Sequence, residues 1–332
     1  MTPEALTSLN TFRVKAHAGR QITLHDPDDL ADIPFDPERD LILGDGSNVL
    51  LASDVPGTVW LNRLMGRNIG TPRGGRIRVS VGAGESWHDI VRWTLEEGLS
   101  GLENLSLIPG RCGAAPMQNI GAYGVELAEH LEAVDAWDWA SRKLVSLRRD
   151  ECEFSYRDSR FKSREPNRWL ITTLHLSLDT EFRPRLDYQG LVEALGNETL
   201  TARNVSDAVI KLRRAKLPDP ALIGNAGSFF KNPVLSHAEA ERLRERAPAA
   251  PLHPAGQGLF KTSAAWLIEA CGWKGHREGD AGVSEQHALV LVNYGEATGQ
   301  ELLALAEAIR SDIREQFKIE LETEPRIIEF GP

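Results

Sequence analysis

The chain has 332 residues, of which 41% are hydrophobic and 26% charged, and its net charge is −10 at neutral pH. The length predicts two or three domains, and the composition is that of an ordinary globular protein. The acidic charge argues against a general nucleic-acid-binding surface, and the apolar runs are too short to cross a bilayer.

The cysteines and histidines predict neither a metal site nor a disulfide framework. Cys112, Cys152 and Cys271 are widely spaced, and the nine histidines lack the spacing of metal ligands. The N-terminal residues do not show the basic and apolar segments of a signal peptide. We therefore expect a cytoplasmic protein with reduced thiols and no metal.

The first third of the chain predicts short strands that alternate with glycine turns. Residues 41–52 are typical of a strand, a glycine loop and a second strand. A helix is predicted over 86–98, because Ser86 and Asp89 form a capping pair and Gly98 can end it. Further strands are predicted at 57–62 and 76–84.

The middle of the chain begins with a segment that has too many glycines and prolines for a regular element, residues 107–126. Apolar and polar residues then alternate in a way that predicts strands. The predicted strands cover 131–139, 144–149, 151–156 and 169–178, and a helix is predicted over 206–216.

The last third predicts helices with clear start signals. Capping boxes begin with Ser236 and with Thr298, and an alternating tail after 317 predicts closing strands. The predicted helices cover 236–247, 263–271 and 298–317, with a strand at 288–293. The whole pattern predicts an α+β protein with domain boundaries near 217 and 318.

Residues 224–233, GNAGSFFKNP, which we call the serine loop, are the most informative stretch. Gly224 and Gly227 allow a sharp turn, and the two phenylalanines can anchor it in a core. Ser228, Lys231 and Asn232 then present a hydroxyl, an ammonium and an amide. This set suits an anionic, hydroxyl-rich ligand, although a purely structural turn has the same glycines.

Two glycine loops suggest a cofactor that carries phosphate. The first glycine loop, residues 44–50, departs from the dinucleotide fingerprint because Val49 replaces the third glycine. Its backbone amides, Ser47 and Asn48 can form an anion-binding nest, or the loop can be an ordinary hairpin turn. The second glycine loop, residues 109–124, has small residues against which a flat ring can lie.

Cations and acids lie near these loops in the sequence. Tyr156 and Arg157 belong to the run SYRDSRFK, where a planar guanidinium suits a carboxylate or an enolate oxygen. A surface turn with salt bridges is the alternative. Glu322 and Glu324 share one face of a strand, and Pro325 biases Glu324 towards an extended backbone. The residues leave open which of the two acids points inward.

Eight segments, in one order, carry a resemblance to a known family. They are GDGSNVLL, GLENLSLIPGRCGAAPMQNIGAYGVE, YRDSRFK, KLPDP, GNAGSFFKNP, KTSAAWLIEACGWKG, ALVLVN and ETEPRIIE. From about residue 10 to residue 330 the chain resembles the UDP-N-acetylenolpyruvoylglucosamine reductases, also called UDP-N-acetylmuramate dehydrogenases. The longer insert around Tyr188 is similar to the type I branch.

The resemblance implies a fold and a reaction. It implies an FAD-binding fold of the vanillyl-alcohol-oxidase type over 1–217, with α+β subdomains at about 1–70 and 71–217. A substrate-binding α+β domain follows at 218–317, and 318–332 return to the FAD-binding part. The implied reaction uses non-covalent FAD and NADPH to reduce a UDP-sugar in peptidoglycan precursor synthesis. A cytosolic monomer with no nucleic-acid or membrane partner is implied.

The resemblance also assigns roles to residues. Ser228 matches the proton donor, and Arg157 and Glu324 match the other two catalytic positions. Substrate contacts match Tyr156, Tyr188, Arg213, Lys216, Asn232 and Lys261. FAD contacts match Gly44, Gly46, Ser47, Asn48, Val49, Leu50, Pro109, Gly110, Gly113, Ala114, Ala115, Gln118, Asn119, Gly121, Ala122, Tyr123 and Gly124.

Three alternatives remain open at this stage. Another FAD enzyme of the same fold could oxidise a hydroxy acid or a sugar, often with a covalently attached flavin, for which the second glycine loop offers only Cys112. A module that binds flavin or UDP-sugar without catalysis is the second. The third concerns residues 181–190, whose polar sequence predicts a mobile lid that carries Tyr188, or a loop whose tyrosine only packs.

Overall fold

The computed structural model describes residues 2–331. Its strands are β1 Glu4–Ala5, β2 His17–Leu24, β3 Leu41–Leu43, β4 Val49–Leu51, β5 Val55–Asn62, β6 Arg67–Ile69, β7 Arg76–Gly82, β8 Gly121–Ala122, β9 Val125–Glu126, β10 Leu131–Asp138, β11 Lys143–Arg148, β12 Trp169–Asp179, β13 Val234–Leu235, β14 Leu252–Pro254, β15 Phe260–Thr262, β16 Arg277–Glu278, β17 Ala281–Val283, β18 Leu291–Asn293 and β19 Arg326–Ile328. Its α-helices are α1 Trp87–Glu96, α2 Leu191–Leu195, α3 Ala202–Lys216, α4 His237–Arg246, α5 Ala264–Ala270 and α6 Gly299–Phe317.

The chain divides into two compact units. Unit 1 contains the residues up to Glu4, Ala18–Asp45 and Val55–Ala215. Unit 2 contains Ala5–His17, Gly46–Asp54 and the chain from Lys216 onward. The domain boundaries drawn from the sequence stay a prediction.

Unit 1 contains two main sheets and the two-stranded pair of β8 and β9. Strands β2, β5 and β3 form parallel pairs, and β11, β10, β12, β7 and β6 form a five-stranded antiparallel sheet in that order. The buried face of the antiparallel sheet packs with Trp87, Ile90 and Val91 of α1 in one core. A smaller core, which includes Trp60 of β5 and Trp137 of β10, joins the two sheets.

A network of ion pairs closes the end of the antiparallel sheet in unit 1. Arg168 donates to both oxygens of Asp138, at 2.9 and 2.8 Å, and the Asp138 side chain is only 4% exposed. Glu165 accepts from Arg160, Arg168 and the Trp169 indole. The network therefore ties residues 160–168 to the last residue of β10.

Unit 2 is built from small sheets and three helices. Strand β19 pairs in parallel with β4, in the register Arg326–Val49. Strands β13, β15 and β14 form one antiparallel sheet, and β16, β17 and β18 form another. Helix α6 begins close to the backbone of β4, because a Cβ on Gly299 would collide with the carbonyl oxygen of Leu51.

Most elements predicted from the sequence are confirmed. The capping boxes of α4 and α6 form as expected, with Ser236 and Thr298 as the capping residues. Ser86 accepts a hydrogen bond from the Asp89 amide at the start of α1. Residues 107–126 contain only short turns and the two-residue strands β8 and β9.

Four element predictions are corrected. Residues 151–156 are not a strand, because a 3₁₀ turn covers Arg149–Cys152 and Glu153 has a left-handed φ of 50°. Helix α3 begins before 206, since the Thr201 hydroxyl already accepts from the Asn204 amide. The strand predicted at 288–293 is shortened to β18, and within the tail only Arg326–Ile328 form a strand.

Residues 2–331 contain no helix long and apolar enough to cross a membrane. They also contain no group of three or more histidine, cysteine or acidic side chains that could hold a metal ion.

We expect Asp138→Asn to lower the free energy of unfolding by about 2–4 kcal/mol, because it replaces a carboxylate that is 4% exposed and ion-paired with Arg168 by a neutral amide. The matched control is Asp150→Asn. The Asp150 carboxylate is 70% exposed, so its replacement should lower the free energy of unfolding by less than about 0.5 kcal/mol. Urea unfolding of both variants measures the difference, and equal midpoints would contradict this account.

The same network predicts acid sensitivity. Hydrogen bonds from Arg168 hold the pKa of Asp138 well below its usual range, and those from Arg160 lower the pKa of Glu165 to about 2. A carboxyl group with a lowered folded-state pKa stabilises the protein above its ordinary pKa of about 4. We therefore expect wild-type stability to fall as the pH drops from about 4 towards 2, and Asp138→Asn to flatten that slope.

Candidate active site

The second glycine loop in unit 1 is held tightly against the antiparallel sheet. The amides of Cys112 and Gly113 donate to the carbonyl oxygens of Glu85 and Ala83, each at 2.8 Å. A Cβ on Gly113 would lie 2.7 Å from the Cβ of Ala83. Gly113 is therefore required for close packing of the loop, while the side chain of Ala114 is exposed.

Asn119 fixes the centre of this loop. It is 1% exposed and has a left-handed φ of 45°, which asparagine tolerates better than most residues. Its side-chain amide donates to Glu126 at 2.8 Å and to the Ser155 carbonyl at 3.2 Å, and its oxygen accepts from the Ala128 amide at 3.0 Å. Asn119 therefore holds the second glycine loop in place through hydrogen bonds to the neighbouring chain.

Arg157 lies on a tight turn joined to the second glycine loop. The turn closes through hydrogen bonds between the backbones of Ser155 and Asp158, and Arg157 has a left-handed φ of 55°. Its guanidinium donates to the Gly121 carbonyl at 2.6 Å and lies 5.4 Å from the centre of the Tyr156 ring. The Ser159 hydroxyl donates to the Met117 carbonyl at 2.7 Å, which adds a further link.

A Cβ on Gly121 would lie 2.9 Å from Arg157 Nη1, so a side chain there would displace this guanidinium. The predicted catalytic arginine and the predicted FAD loop are therefore adjacent within unit 1. The sequence placed Arg157 at a strand end, whereas the structure places it in a turn.

Tyr123, Tyr188 and Arg213 form a second cluster in unit 1. The rings of Tyr123 and Tyr188 meet edge to face, with centroids 4.7 Å apart. The Nε atom of Arg213 is buried and makes no hydrogen bond within residues 2–331. Burial lowers the pKa of Arg213, and the Arg157 charge adds to that effect. A buried guanidinium nitrogen without a partner fits an anionic ligand.

The loop that carries Tyr188 has more anchors than its sequence suggested. Phe182 and Leu186 pack against the small core formed by α2 and α3. The Asn104 side chain donates to the Arg185 carbonyl at 2.9 Å. Tyr188 itself remains 38% exposed. Two apolar side chains of residues 181–190 therefore anchor this loop on the core of α2 and α3, and the mobile lid stays a prediction.

Three charged residues beside Gly44 were missed by the sequence analysis. Asp45 accepts from Arg111 Nε at 2.7 Å and pairs with Arg63 at 3.2 Å. Arg63 also donates to the Gly44 carbonyl at 3.1 Å. Burial lowers the pKa of Arg63, and the charge of Arg111 adds to this. Arg111 lies inside a recognised motif, but nothing near Arg63 in the sequence points to this cluster.

In unit 2, the serine loop is anchored as predicted. Phe229 and Phe230 are 0% and 1% exposed, and Gly227 has a φ of 71°. The residues after the turn are extended and pair with two other segments. Ser228 forms an antiparallel bridge with Val290, and the Phe229 amide donates to the Leu289 carbonyl at 2.7 Å. The serine is therefore fixed by its backbone.

The structure also separates the two candidate acids. Glu322 is 72% exposed and pairs with Lys231 at 2.9 Å. Glu324 is partly buried, and its amide donates to the Phe229 carbonyl at 2.9 Å. Glu324 therefore lies beside the serine in unit 2, and Lys231 is engaged by Glu322.

Glu324 also lies close to the first glycine loop, most of which belongs to unit 2. The Glu324 carbonyl accepts from the Asn48 side chain at 3.4 Å, and the Arg326 amide donates to the Asn48 carbonyl at 3.0 Å. Gly46 has a φ of 59°, and a Cβ there would collide with the carbonyl oxygen of Leu9. The parallel pairing of β4 with β19 begins at the next residue, Val49.

The remaining predicted substrate residues of unit 2 occupy different positions. Asn232 accepts from the Ala264 amide at 3.0 Å, at the start of α5. Lys261 lies in the middle of β15, and Lys216 is the last residue of α3. Asn232 thus has a structural bond as well as its predicted role.

The residues present fit FAD. Gly46 has a left-handed φ of 59° and packs against the backbone of Leu9, next to the hydroxyl of Ser47 and the amide of Asn48, and such a donor set suits a pyrophosphate. Small residues line the second glycine loop, and Ala115 and Ile120 anchor it in the core of unit 1. Cys112 is 0% exposed, and burial raises the pKa of its thiol, so it is unsuited to covalent attachment.

Comparisons with known proteins agree with this geometry. Residues 38–147 match the model of an FAD binding domain. Residues 219–328 match the C-terminal domain of UDP-N-acetylenolpyruvoylglucosamine reductase. Proteins with that name from Xylella fastidiosa (strain 9a5c) and Xanthomonas euvesicatoria pv. vesicatoria (strain 85-10) are each 49% identical over 97% of this chain and 94% of their own. This chain belongs to the UDP-N-acetylenolpyruvoylglucosamine reductase family.

A solved structure supports the membership in this reductase family. The UDP-N-acetylenolpyruvylglucosamine reductase of Thermus caldophilus is similar with a TM-score of 0.69 and 27% identity, over 99% of this chain and 100% of that one. The predicted α+β class and the FAD-binding fold of the vanillyl-alcohol-oxidase type, followed by a reductase C-terminal domain, are confirmed.

We expect Asn119→Ala to reduce stability by about 2–4 kcal/mol. Alanine has a left-handed cost of about 1–2 kcal/mol and removes the side-chain hydrogen bonds to the Ser155 carbonyl and the Ala128 amide. Asn119→Gly removes the same side chain without the left-handed cost and should recover about 1 kcal/mol. Thermal unfolding of both variants measures this, and two variants as stable as wild type would show that Asn119 does not hold the loop.

Proposed function

We propose that this chain reduces the enolpyruvyl ether of UDP-N-acetylglucosamine to UDP-N-acetylmuramate, with NADPH as reductant and FAD as cofactor. This reaction is a step of peptidoglycan precursor synthesis. The observation that carries the proposal is 49% identity to reductases of this name over nearly the whole chain, with matches to both domains. Among the alternatives, a non-catalytic module does not account for the Arg157 turn and the fixed Ser228.

FAD, when bound, supplies the hydride-transfer chemistry of this reaction. The proposed role of the chain is to hold it without a covalent bond. Residues Gly44 to Leu50 would hold the pyrophosphate, and residues Pro109 to Gly124 would lie along the ring system. The fit described above for Gly46 and for the loop around Ala115 supports this.

Arg157 is proposed to stabilise negative charge on the substrate carboxylate. Addition of hydride to the conjugated alkene places charge on the carboxylate oxygens, and a fixed guanidinium stabilises that charge more than a mobile one. The hydrogen bond to Gly121 and the contact with Tyr156 restrict the guanidinium in this way. It therefore needs little rearrangement as the charge forms.

Ser228 is proposed to donate the proton that completes the reduction. A serine hydroxyl is a weak acid, so the basicity of the enolate must drive the transfer, and the backbone must aim the hydroxyl at one face. The bridge to Val290 supplies that aim. Lys231 is paired with Glu322, so we assign the assisting role to the partly buried Glu324.

The UDP part of the substrate is proposed to contact the cluster of Tyr123, Tyr188 and Arg213. The unpartnered Nε of Arg213 suits a diphosphate oxygen, and the tyrosine rings offer apolar faces with hydroxyl groups. Lys216, Asn232 and Lys261 are further proposed substrate contacts. We also propose that the protein acts in the cytoplasm as a monomer, without nucleic-acid partners.

We expect Ser228→Ala to leave reduction of the bound flavin by NADPH near the wild-type rate. Reoxidation by the enolpyruvyl substrate should slow by about 10²–10⁴-fold, the usual effect of losing a positioned acid. Stopped-flow absorbance follows the two half-reactions separately. Equal slowing of both would mean that Ser228 is structural, and unchanged reoxidation would remove it as the proton donor.

A further inference from the structure

The loop between β17 and β18 in unit 2 is closed by hydrogen bonds. The Ser284 amide donates to the Val290 carbonyl at 2.8 Å, and the Val290 amide donates to the His287 carbonyl at 3.0 Å. Inside this loop the Leu289 amide donates to Nδ1 of His287 at 3.2 Å. His287 thus uses a ring nitrogen to satisfy a backbone group two residues further along the chain.

This loop is the segment that pairs with the serine loop. The Leu289 carbonyl accepts from the Phe229 amide at 2.7 Å, and Val290 forms the bridge with Ser228. The backbone of Leu289 is therefore hydrogen-bonded on both sides, at its amide to His287 and at its carbonyl to Phe229. A change at His287 Nδ1 can therefore shift Leu289, and Leu289 is hydrogen-bonded to Phe229, the residue next to Ser228.

An imidazole nitrogen accepts a hydrogen bond only when it carries no proton. Burial lowers the pKa of His287, and the charges of Lys216 and Lys274 add to this, while Glu269 opposes it. Glu285 lies on the same loop as the histidine. At neutral pH the ring of His287 is therefore neutral, and its unprotonated Nδ1 can accept the hydrogen bond from Leu289.

We propose that His287 is a positioning residue for proton transfer by Ser228, and that protonation of its ring in acid releases the Leu289 peptide and misaligns the serine. This proposal rests on the proposed function. The alternative is that His287 only stabilises its own loop. In that case its loss changes stability without a selective effect on the half-reaction that needs Ser228.

The side chain of asparagine allows a sharp test, because its oxygen accepts from the backbone amide two residues on and does not titrate. We expect His287→Ala to slow reoxidation by the enolpyruvyl substrate about 3–10-fold at neutral pH, the equivalent of one hydrogen bond. Reduction by NADPH should stay unchanged. His287→Asn should restore reoxidation to within about twofold of wild type.

The pH profile gives the readout that a purely structural role would not change. For wild type, reoxidation should fall at pH values below the ordinary histidine pKa of about 6.5, because protonated His287 loses its acceptor. His287→Asn should lack this acid limb. The matched control is His253→Asn, which changes an exposed histidine of β14 and should keep the wild-type profile.

Hydrogen exchange tests the same contact without turnover. His287→Ala should speed amide exchange in peptides covering 287–291 and 227–231, and His287→Asn should leave it close to wild type. Retention of the acid limb in His287→Asn, or equal slowing of both half-reactions in His287→Ala, would overturn the proposal. If the flavin of the wild-type protein were not reoxidised by this substrate, the proposed function would be refuted. The hydrogen-exchange result would still show whether His287 holds the Leu289 amide.

Discussion

Residues 228–231 are hydrogen-bonded to two other segments of unit 2, and the proposed roles of Ser228 and Glu324 depend on that register. Phe230 bridges Thr323, so Glu324 lies opposite Phe229, while Ser228 bridges Val290. The amide of Lys231 donates to the Glu322 carbonyl at 2.9 Å and closes this pairing. A shift of one residue would present different side chains, because neighbours in an extended chain point to opposite faces. Buried Phe229 and Phe230 oppose such a shift.

In unit 1, hydrogen bonds from side chains to the backbone hold two residues in a left-handed backbone conformation. A left-handed backbone costs about 1–2 kcal/mol at Arg157 and less at Asn119. The Asn119 bond to Ser155, the Ser159 bond to Met117 and the Arg157 bond to Gly121 offset that cost. The second glycine loop and the turn at residues 155–158 are therefore one structural element, and a change in either should disturb both.

Features that depend on residues close together in the chain could be predicted from the sequence. Features that depend on contacts between distant residues could not. Capping boxes locate α4 and α6 within a residue, because each signal lies inside the first turn. Residues 151–156 were misread as a strand because Cys152 and Phe154 alternate with polar residues, although Glu153 turns the chain. The choice between Glu322 and Glu324 needed the pairing with residues 228–231, more than 90 positions away. The Arg63–Asp45–Arg111 cluster likewise forms only on folding.

The central claim is that Ser228 and Glu324 act together on the proton-transfer step. A double-mutant cycle with Ser228→Ala, Glu324→Gln and the double variant tests it, with the single-turnover rate of flavin reoxidation by the enolpyruvyl substrate as the readout. Residues that act as a unit are strongly non-additive. The account predicts a double variant about as slow as the slower single variant. Losses that multiply, or a Glu324→Gln rate equal to wild type, would contradict it.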